Sequence, residues 1–289
     1  MWHTVKRGNN KYEIVALPWE TEIKVRPNEV IGHSIVTMGV YDLCVTEVLW
    51  RLIDLGETAV DVGANIGYMT SVMAKRVGAT GRVFSYEPHP EIYDEFCENK
   101  RMWQETRGWQ QIESQNVALS NTSGIGTLNM PPHFRENRGV ASLLDETNKQ
   151  ADSHACQCPI TLARLDDLMN DNYPVSIIKL DVEGHELKVL QGGDKVITHH
   201  VRDIVFEEHG GYPSGVTYFL ENRGFTLFRF YKGIWGPRLE SPAGKLKGSL
   251  LPWEPPSYLA TKDPSRVTKR MEKRGWQAFS KNQVSRPLS

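Results

Sequence analysis

AVDVGANIGYMT, residues 59–70, decides how the rest of the chain is read. An apolar strand, TAVDV, runs into an acid, two glycines and an asparagine, and then into the helical pattern GYMTSVMAKRV. Downstream the same alternation repeats. RVFSYE is a second strand, EIYDEFCENKRMW a helix, and IESQNVAL holds a third strand that ends in Asn116-Val117-Ala118-Leu119. VSIIKLDV is a fourth, followed by the helix HELKVLQ and its stop at Gly192 and Gly193, and DIVFEEH is a fifth. Strand–helix alternation of this kind predicts an α/β fold, a doubly wound and mostly parallel sheet with right-handed crossovers. GIGTLNM and CQCPITL read as strands added to that core.

In such a sheet, ligands bind beyond the carboxyl ends of the strands. Asp61 lies near such an end. Gly63 and Gly67 let the backbone turn tightly and approach a ligand. Asn65 tolerates unusual backbone angles, and the following helix offers free N–H groups and a positive dipole end. A dinucleotide site would read G-x-G-x-x-G. Here Asn65 and Tyr68 stand where the second and third glycines belong, so a pyrophosphate would meet side chains. The D-x-G-x-x-x-G spacing suits the smaller zwitterionic tail of S-adenosylmethionine, with Asp61 serving its ammonium group through water or backbone. Glu87, twenty residues after Gly67 and followed by Pro88, is placed to accept both ribose hydroxyls. Such charge-assisted bonds contribute roughly 1.5–3 kcal/mol each. Ala118 and Leu119 suit the adenine edge, although core packing explains them almost as well.

AVDVGANIGYMT, YEPHP, NVALSN, IIKLDVEGHELKVLQGG and IVFEEH, in this order between about Gly39 and about Phe230, closely resemble the FkbM family of S-adenosylmethionine-dependent methyltransferases. DVGANIG alone marks only the wider superfamily; KLDVEGHE followed by a glycine-ended helix narrows it. The resemblance implies the class I (Rossmann-like) methyltransferase fold with added β strands, S-adenosylmethionine as cofactor, and O-methylation of a hydroxyl on a sugar, polysaccharide or secondary metabolite. Some members methylate nitrogen, so an amide or amine acceptor is the alternative. A nucleotide-dependent oxidoreductase is opposed by the two missing glycines, and a non-catalytic cofactor-binding module by the retained acids.

Those acids gather at one sheet edge. KLDVEGHE places Asp181 and Glu183 beyond the fourth strand, and IVFEEH places Glu207 and His209 at the end of the fifth. In-line positioning supplies much of methyl transfer, but a hydroxyl must also lose its proton. His209 or Glu183 is the expected base, with Asp181 nearest the cofactor's methionine end. Glu208 alternates away from its neighbours and reads as structural. Glu186 and Lys188 read as a solvated helix face. The oxygen-rich set is compatible with Mg²⁺, but no spacing demands a metal. The irregular stretch 121–155 is the expected acceptor loop, with His133, Arg135, Asn137, Arg138 and Ser142 as polar contacts. Tyr41 joins them through resemblance to the family's segment before the first strand, and Glu207 faces the same acceptor.

The remaining composition is bland. The 289 residues carry a net charge of −1, giving no global electrostatic case for nucleic acid or an anionic surface. The four cysteines form no zinc or thioredoxin pattern, and neither a signal peptide nor a membrane span is expected. A cytoplasmic enzyme with a small-molecule or glycan acceptor is the expectation. Residues 1–38 read as an N-terminal β-hairpin extension, suited to homodimer contacts; 39–260 as the catalytic domain; 261–289 as a basic, solvated tail.

Overall fold

The computed structural model describes residues 11–132, 134, 136–143, 156–169, 174–244 and 256–279. A hairpin of β1 (Glu13–Ala16) and β2 (Glu22–Val25) leads to α1 (Val30–Met38) and α2 (Leu43–Leu52). The alternating core follows as β3 (Thr58–Val62), α3 (Tyr68–Val77), β4 (Arg82–Tyr86), α4 (Pro90–Arg107) and β5 (Ile112–Gln115). An inserted stretch carries β6 (Ala118–Leu119), β7 (Gly124–Met130), β8 (Ser142–Leu143) and β9 (Cys156–Ala163), before the short helix α5 (Leu165–Leu168). The core resumes with β10 (Val175–Leu180), α6 (Glu186–Gly192), α7 (Asp194–His199), β11 (Asp203–Glu207) and α8 (Gly215–Glu221). It ends with β12 (Thr226–Gly233), β13 (Gly236–Glu240), β14 (Ser257–Thr261) and α9 (Pro264–Met271).

The main sheet has the order β13-β12-β14-β11-β10-β3-β4-β5. The five strands from β11 to β5 are parallel, and β14, β12 and β13 add antiparallel partners at one end. This is the doubly wound α/β class that the sequence predicts. All five residues of β3 are buried, as the central strand of a sheet covered on both faces must be. From β3 the chain winds outward through β4 and β5, then returns to β10 on the other side. The order therefore reverses between β3 and β10, and a crevice opens at their carboxyl ends.

Two sequence expectations shift. Strand β5 stops at Gln115, because the Asn116 side chain turns to donate to the carbonyls of Glu87 and Pro88, at 2.8 and 3.0 Å. Ala118–Leu119 then leave the main sheet and pair with β9. GIGTLNM and CQCPITL likewise form no part of the main sheet; they build a second sheet of order β6-β9-β7-β8.

The hairpin packs into the core on one face of the main sheet. Trp19 and Ile23 share a cluster with Phe96 and Trp103 of α4 and Val72 of α3. Trp103 Nε1 donates to the Glu22 carbonyl at 2.6 Å, and Trp19 Nε1 to Ser71 Oγ at 3.2 Å. Leu190, Ile197 and Leu220 of the later helices cover the other face. Among the described residues, no helix is long and apolar enough to cross a membrane.

The segment after Thr261 is more embedded than a solvated tail. Asp263 caps α9, and Arg270 pairs with Asp54 at 2.5 Å. Arg266 pairs with Asp203 at 2.9 Å. Below them, Glu47 and Arg51 of α2 form a buried ion pair at 2.6 Å. Arg51 donates to the carbonyls of Met271, Lys273 and Gly275, and Glu47 accepts from the backbone N–H of Gln277 and Ala278. Lys281 and Arg286 lie outside the described residues. Glu47→Ala would leave a buried guanidinium without its carboxylate and should cost about 3–5 kcal/mol in urea unfolding. Glu20→Ala removes a partner from an exposed pair with Lys75 and should change stability by less than about 1 kcal/mol. Equal costs for the two variants would show that the clamp on α2 is not a stabilising centre.

Candidate functional site

The turn from β3 into α3 is built by close backbone approach. Gly63 has φ +76°, and a Cβ there would lie 1.9 Å from the Asp181 carbonyl oxygen. Gly67 has φ +90°, and its Cβ would strike the Phe96 ring at 2.5 Å. Both glycines admit neighbouring protein, whereas the sequence reading assigned that closeness to a ligand. Asn65 sits between them at φ +50° and accepts from the N–H of Ile66.

Beneath this turn lies a residue the sequence reading passed over. Lys179 of β10 is buried, and its Nζ donates to the Gly63 carbonyl at 2.9 Å. It stands 3.2 Å from Asp181 and 3.7 Å from Asp61. Burial alone would lower its pKa, but Asp181 and Asp61 outweigh that and hold it raised. A lysine inside the apolar run VSIIKL was the available signal. Asp61 is fully buried, and burial raises its pKa against the pull of Lys179 and a 2.6 Å bond from Thr70 Oγ1. Its Oδ1 has no hydrogen-bond partner. Asp61 and Gly67 lie behind the cavity wall; Gly63, Asn65, Glu87, Pro88, Ala118 and Asp181 form it.

The cavity occupies about 1320 Å³ including its open mouth. Its lining runs from Glu87 and Ala118 to Tyr41 and Glu207. At one end Glu87 is buried, its two oxygens accepting from the N–H groups of Asn65 and His89, each at 2.9 Å. Burial pushes its pKa up to about 7 despite those bonds. Each oxygen keeps a lone pair for a ligand hydroxyl. Val117, Ala118 and Leu119 supply an apolar wall beside it. These features fit S-adenosylmethionine: acceptors for ribose, an apolar slot for adenine, and a charged floor at the glycine turn.

At the other end Tyr41, Asp42, Asp181, Glu183 and Glu207 converge. Burial, followed by Asp181 and Glu186, raises the Glu183 pKa to about 7. Burial, followed by Asp181 and Asp42, pushes Glu207 up to about 9. Tyr41 is raised for the same reasons. Glu183 has φ +52°, held by a turn in which buried Glu186 accepts from the N–H groups of Val182 and Gly184. Glu186 is therefore no solvated helix residue; it shapes the turn that presents Glu183. His209 Nε2 lies 3.7 Å from Glu183 Oε2, half exposed and off the cavity wall. Glu208 accepts from Gly210 N–H and Ser214 Oγ, a structural role.

The expected acceptor loop divides. Ser142 lies off the wall, between Ala141 and Leu143, which are on it. Arg138 lines the cavity, but its guanidinium is committed to Glu95 at 2.6 Å and Glu29 at 2.7 Å. His133 and Arg135 lie outside the described residues. Among the described residues, no group of three or more His, Cys, Asp or Glu is arranged to hold a metal ion.

Comparison with known proteins gives this geometry a context. The family described as Methyltransferase FkbM domain matches residues 61–227, more than half of the chain. The methyltransferase sdnD of Sordaria araneosa is 28% identical over 203 residues, covering 62% of this chain and 76% of that protein. The hexuronic acid methyltransferase AglP of Haloferax volcanii is 27% identical over 193 residues, covering 60% and 72%. The crystal structure of a methyltransferase FkbM from Methylobacillus flagellatus KT aligns with 19% identity and a TM-score of 0.42, covering 70% of this chain and 43% of that one. The aligned region is thus less than half of that protein.

Replacing Lys179 tests the floor of the site. Lys179→Met should destabilise the protein by about 3–5 kcal/mol near pH 8, by leaving two carboxylates without their shared cation. The loss should be smaller near pH 5 than near pH 8, because burial raises the Asp61 carboxyl and favours its protonated form. Thermal midpoints at the two pH values read this directly; a pH-independent loss would assign Lys179 to packing.

Proposed function

The chain belongs to the FkbM methyltransferase family, and we propose that it methylates a hydroxyl group of a sugar, polysaccharide or secondary metabolite. The observation that carries the choice of hydroxyl chemistry is the acid-lined end of the cavity. There Glu183 titrates near neutral pH beside His209. A base is most effective when its pKa lies near the working pH. S-adenosylmethionine, when bound, supplies an electrophilic methyl group on a positively charged sulfur.

The chain's own residues do the rest. Glu87 accepts from ribose hydroxyls, and Val117 to Leu119 hold the adenine. Asp181, tied to Lys179, faces the methionine end. Glu207, protonated at neutral pH by its burial, hydrogen-bonds the acceptor and fixes its oxygen. Glu183 takes the hydroxyl proton and passes it to His209, which reaches solvent. The similarity to a hexuronic acid methyltransferase supports a sugar acceptor. The same carboxyl groups would also attract a protonated amine, and product analysis separates that N-methylation reading.

Calorimetric titration should show binding of S-adenosylmethionine and S-adenosylhomocysteine but not NAD. Glu87→Ala should weaken both by roughly 1.5–3 kcal/mol. Preferential NAD binding would overturn the cofactor assignment. On a productive acceptor, kcat/KM should rise with pH through about 7 as Glu183 loses its proton. Glu183→Gln should lower kcat by about 10²–10⁴ and flatten that limb, with cofactor affinity kept. If Glu183→Gln and His209→Ala both retain near wild-type turnover, neither residue is the base. The raised carboxyls also set a stability trend. Glu207 binds its proton more tightly folded than unfolded, so its stabilising contribution is full below about pH 4.5 and is lost as pH rises towards 9. Glu207→Gln should therefore stabilise the ligand-free protein near pH 8, by on the order of 1–3 kcal/mol in denaturant melts.

A further inference from the structure

The basic residues after Thr261 do not act as one group. Lys262 donates to the carbonyls of Ile197 and Thr198, and Arg266 and Arg270 are turned inward onto acids. Lys269, Lys273 and Arg274 remain exposed. The chain at this point runs against the tip of the β12–β13 hairpin, where the N–H of Gly275 donates to the Trp235 carbonyl at 2.9 Å.

That tip carries two large apolar side chains in full view of solvent: Ile234 is 86% exposed and Trp235 62%. Single exposed apolar residues are ordinary, but an adjacent Ile-Trp pair at a hairpin tip is not. Exposed Lys232 and Arg238 flank it on the two strands. Among the described residues, Lys232, Arg238, Lys273 and Arg274 make no ion pair, and Glu272 is the one exposed acid in the adjoining segment. An apolar wedge ringed by unpaired cations is the chemistry that inserts into an anionic bilayer interface, with tryptophan at the headgroup level and the cations on the phosphates.

The register places this wedge on the same edge of the sheet as the cavity. Glu207 pairs with Ser257, and Ser257 with Phe230, so β12 runs three residues past the level of Glu207. At about 3.3 Å per residue, the strand extends roughly 10 Å beyond that level before the tip begins. Lys232 is also within electrostatic reach of Cys44, two residues from cavity-lining Asp42.

We propose that the Ile234–Trp235 tip, with Lys232, Arg238, Lys273 and Arg274, docks the protein on an anionic phospholipid surface. Docking there holds the acceptor end of the cavity close to the headgroup layer. The contact is peripheral and does not depend on the identity of the acceptor.

Co-sedimentation of the full chain with phosphatidylcholine vesicles, with and without phosphatidylserine, tests the proposal. The protein should partition onto the phosphatidylserine vesicles, lose that binding in high salt, and ignore phosphatidylcholine alone. Ile234→Ser with Trp235→Ser should weaken partitioning by about tenfold or more, and Lys273→Glu with Arg274→Glu should weaken it comparably. Thermal midpoint and S-adenosylmethionine affinity should stay at wild-type values in both variants. No partitioning, equal partitioning onto both vesicle types, or partitioning insensitive to both variants overturns the proposal. A dimer in light scattering that the tip variant dissociates, without vesicle binding, would assign the tip to a second copy instead.

Discussion

One buried ammonium group sets the geometry of the whole carboxyl edge. Lys179 is the bridge through which two chain segments meet: the end of β3 and its glycine turn, through Asp61 and the Gly63 carbonyl, and the end of β10, through Asp181. Without it, the Asp61 and Asp181 carboxylates would lose the cation they share. With it, β3 and β10 can end close enough that Gly63 has no room for a side chain. The Glu87 end and the Glu183–Glu207 end of the cavity thus flank one electrostatic knot.

From that knot the carboxyl groups divide by environment. Glu87 accepts from two backbone N–H groups, and burial still pushes its pKa up to about 7. Glu183 and Glu207 sit further from Lys179 and crowd against Asp181 and one another. They are driven upward by different amounts, which separates a group that can take a proton from one that holds it. A crowded, dehydrated set of acids costs stability in the ligand-free protein. Such a cost is the usual companion of a site built to meet positive charge.

Much of this was legible in the chain. The alternation after Gly56 predicts the parallel sheet because buried strands and amphipathic helices carry different periods. The acids of KLDVEGHE and IVFEEH reach one edge because parallel strands end together. Other features had no local signature. Asp61 and Gly67 look like ligand contacts in the sequence, yet lie behind the wall, because which side of a turn faces the cavity is decided by α4 and β10. Glu186 reads as solvated from helical spacing, but the turn before it needs an acceptor for two N–H groups. Arg138 reads as an acceptor contact, but Glu29 and Glu95, distant in sequence, claim it. Ala118–Leu119 reads as the end of the third strand, but a single side chain, Asn116, ends that pairing and Ala118–Leu119 join β9 instead.

The clamp on α2 bears on the order in which the molecule can assemble. Glu47 and Arg51 lie near the start of the chain, and the groups that satisfy them come from residues 271–278. Trp103 and Asn99 similarly wait to close on the hairpin at Glu22 and Lys24. Contacts of such long sequence separation close late, since chain entropy must be overcome before they form. During synthesis α2 therefore emerges with a charged pair that has nowhere to be buried until the final helix arrives.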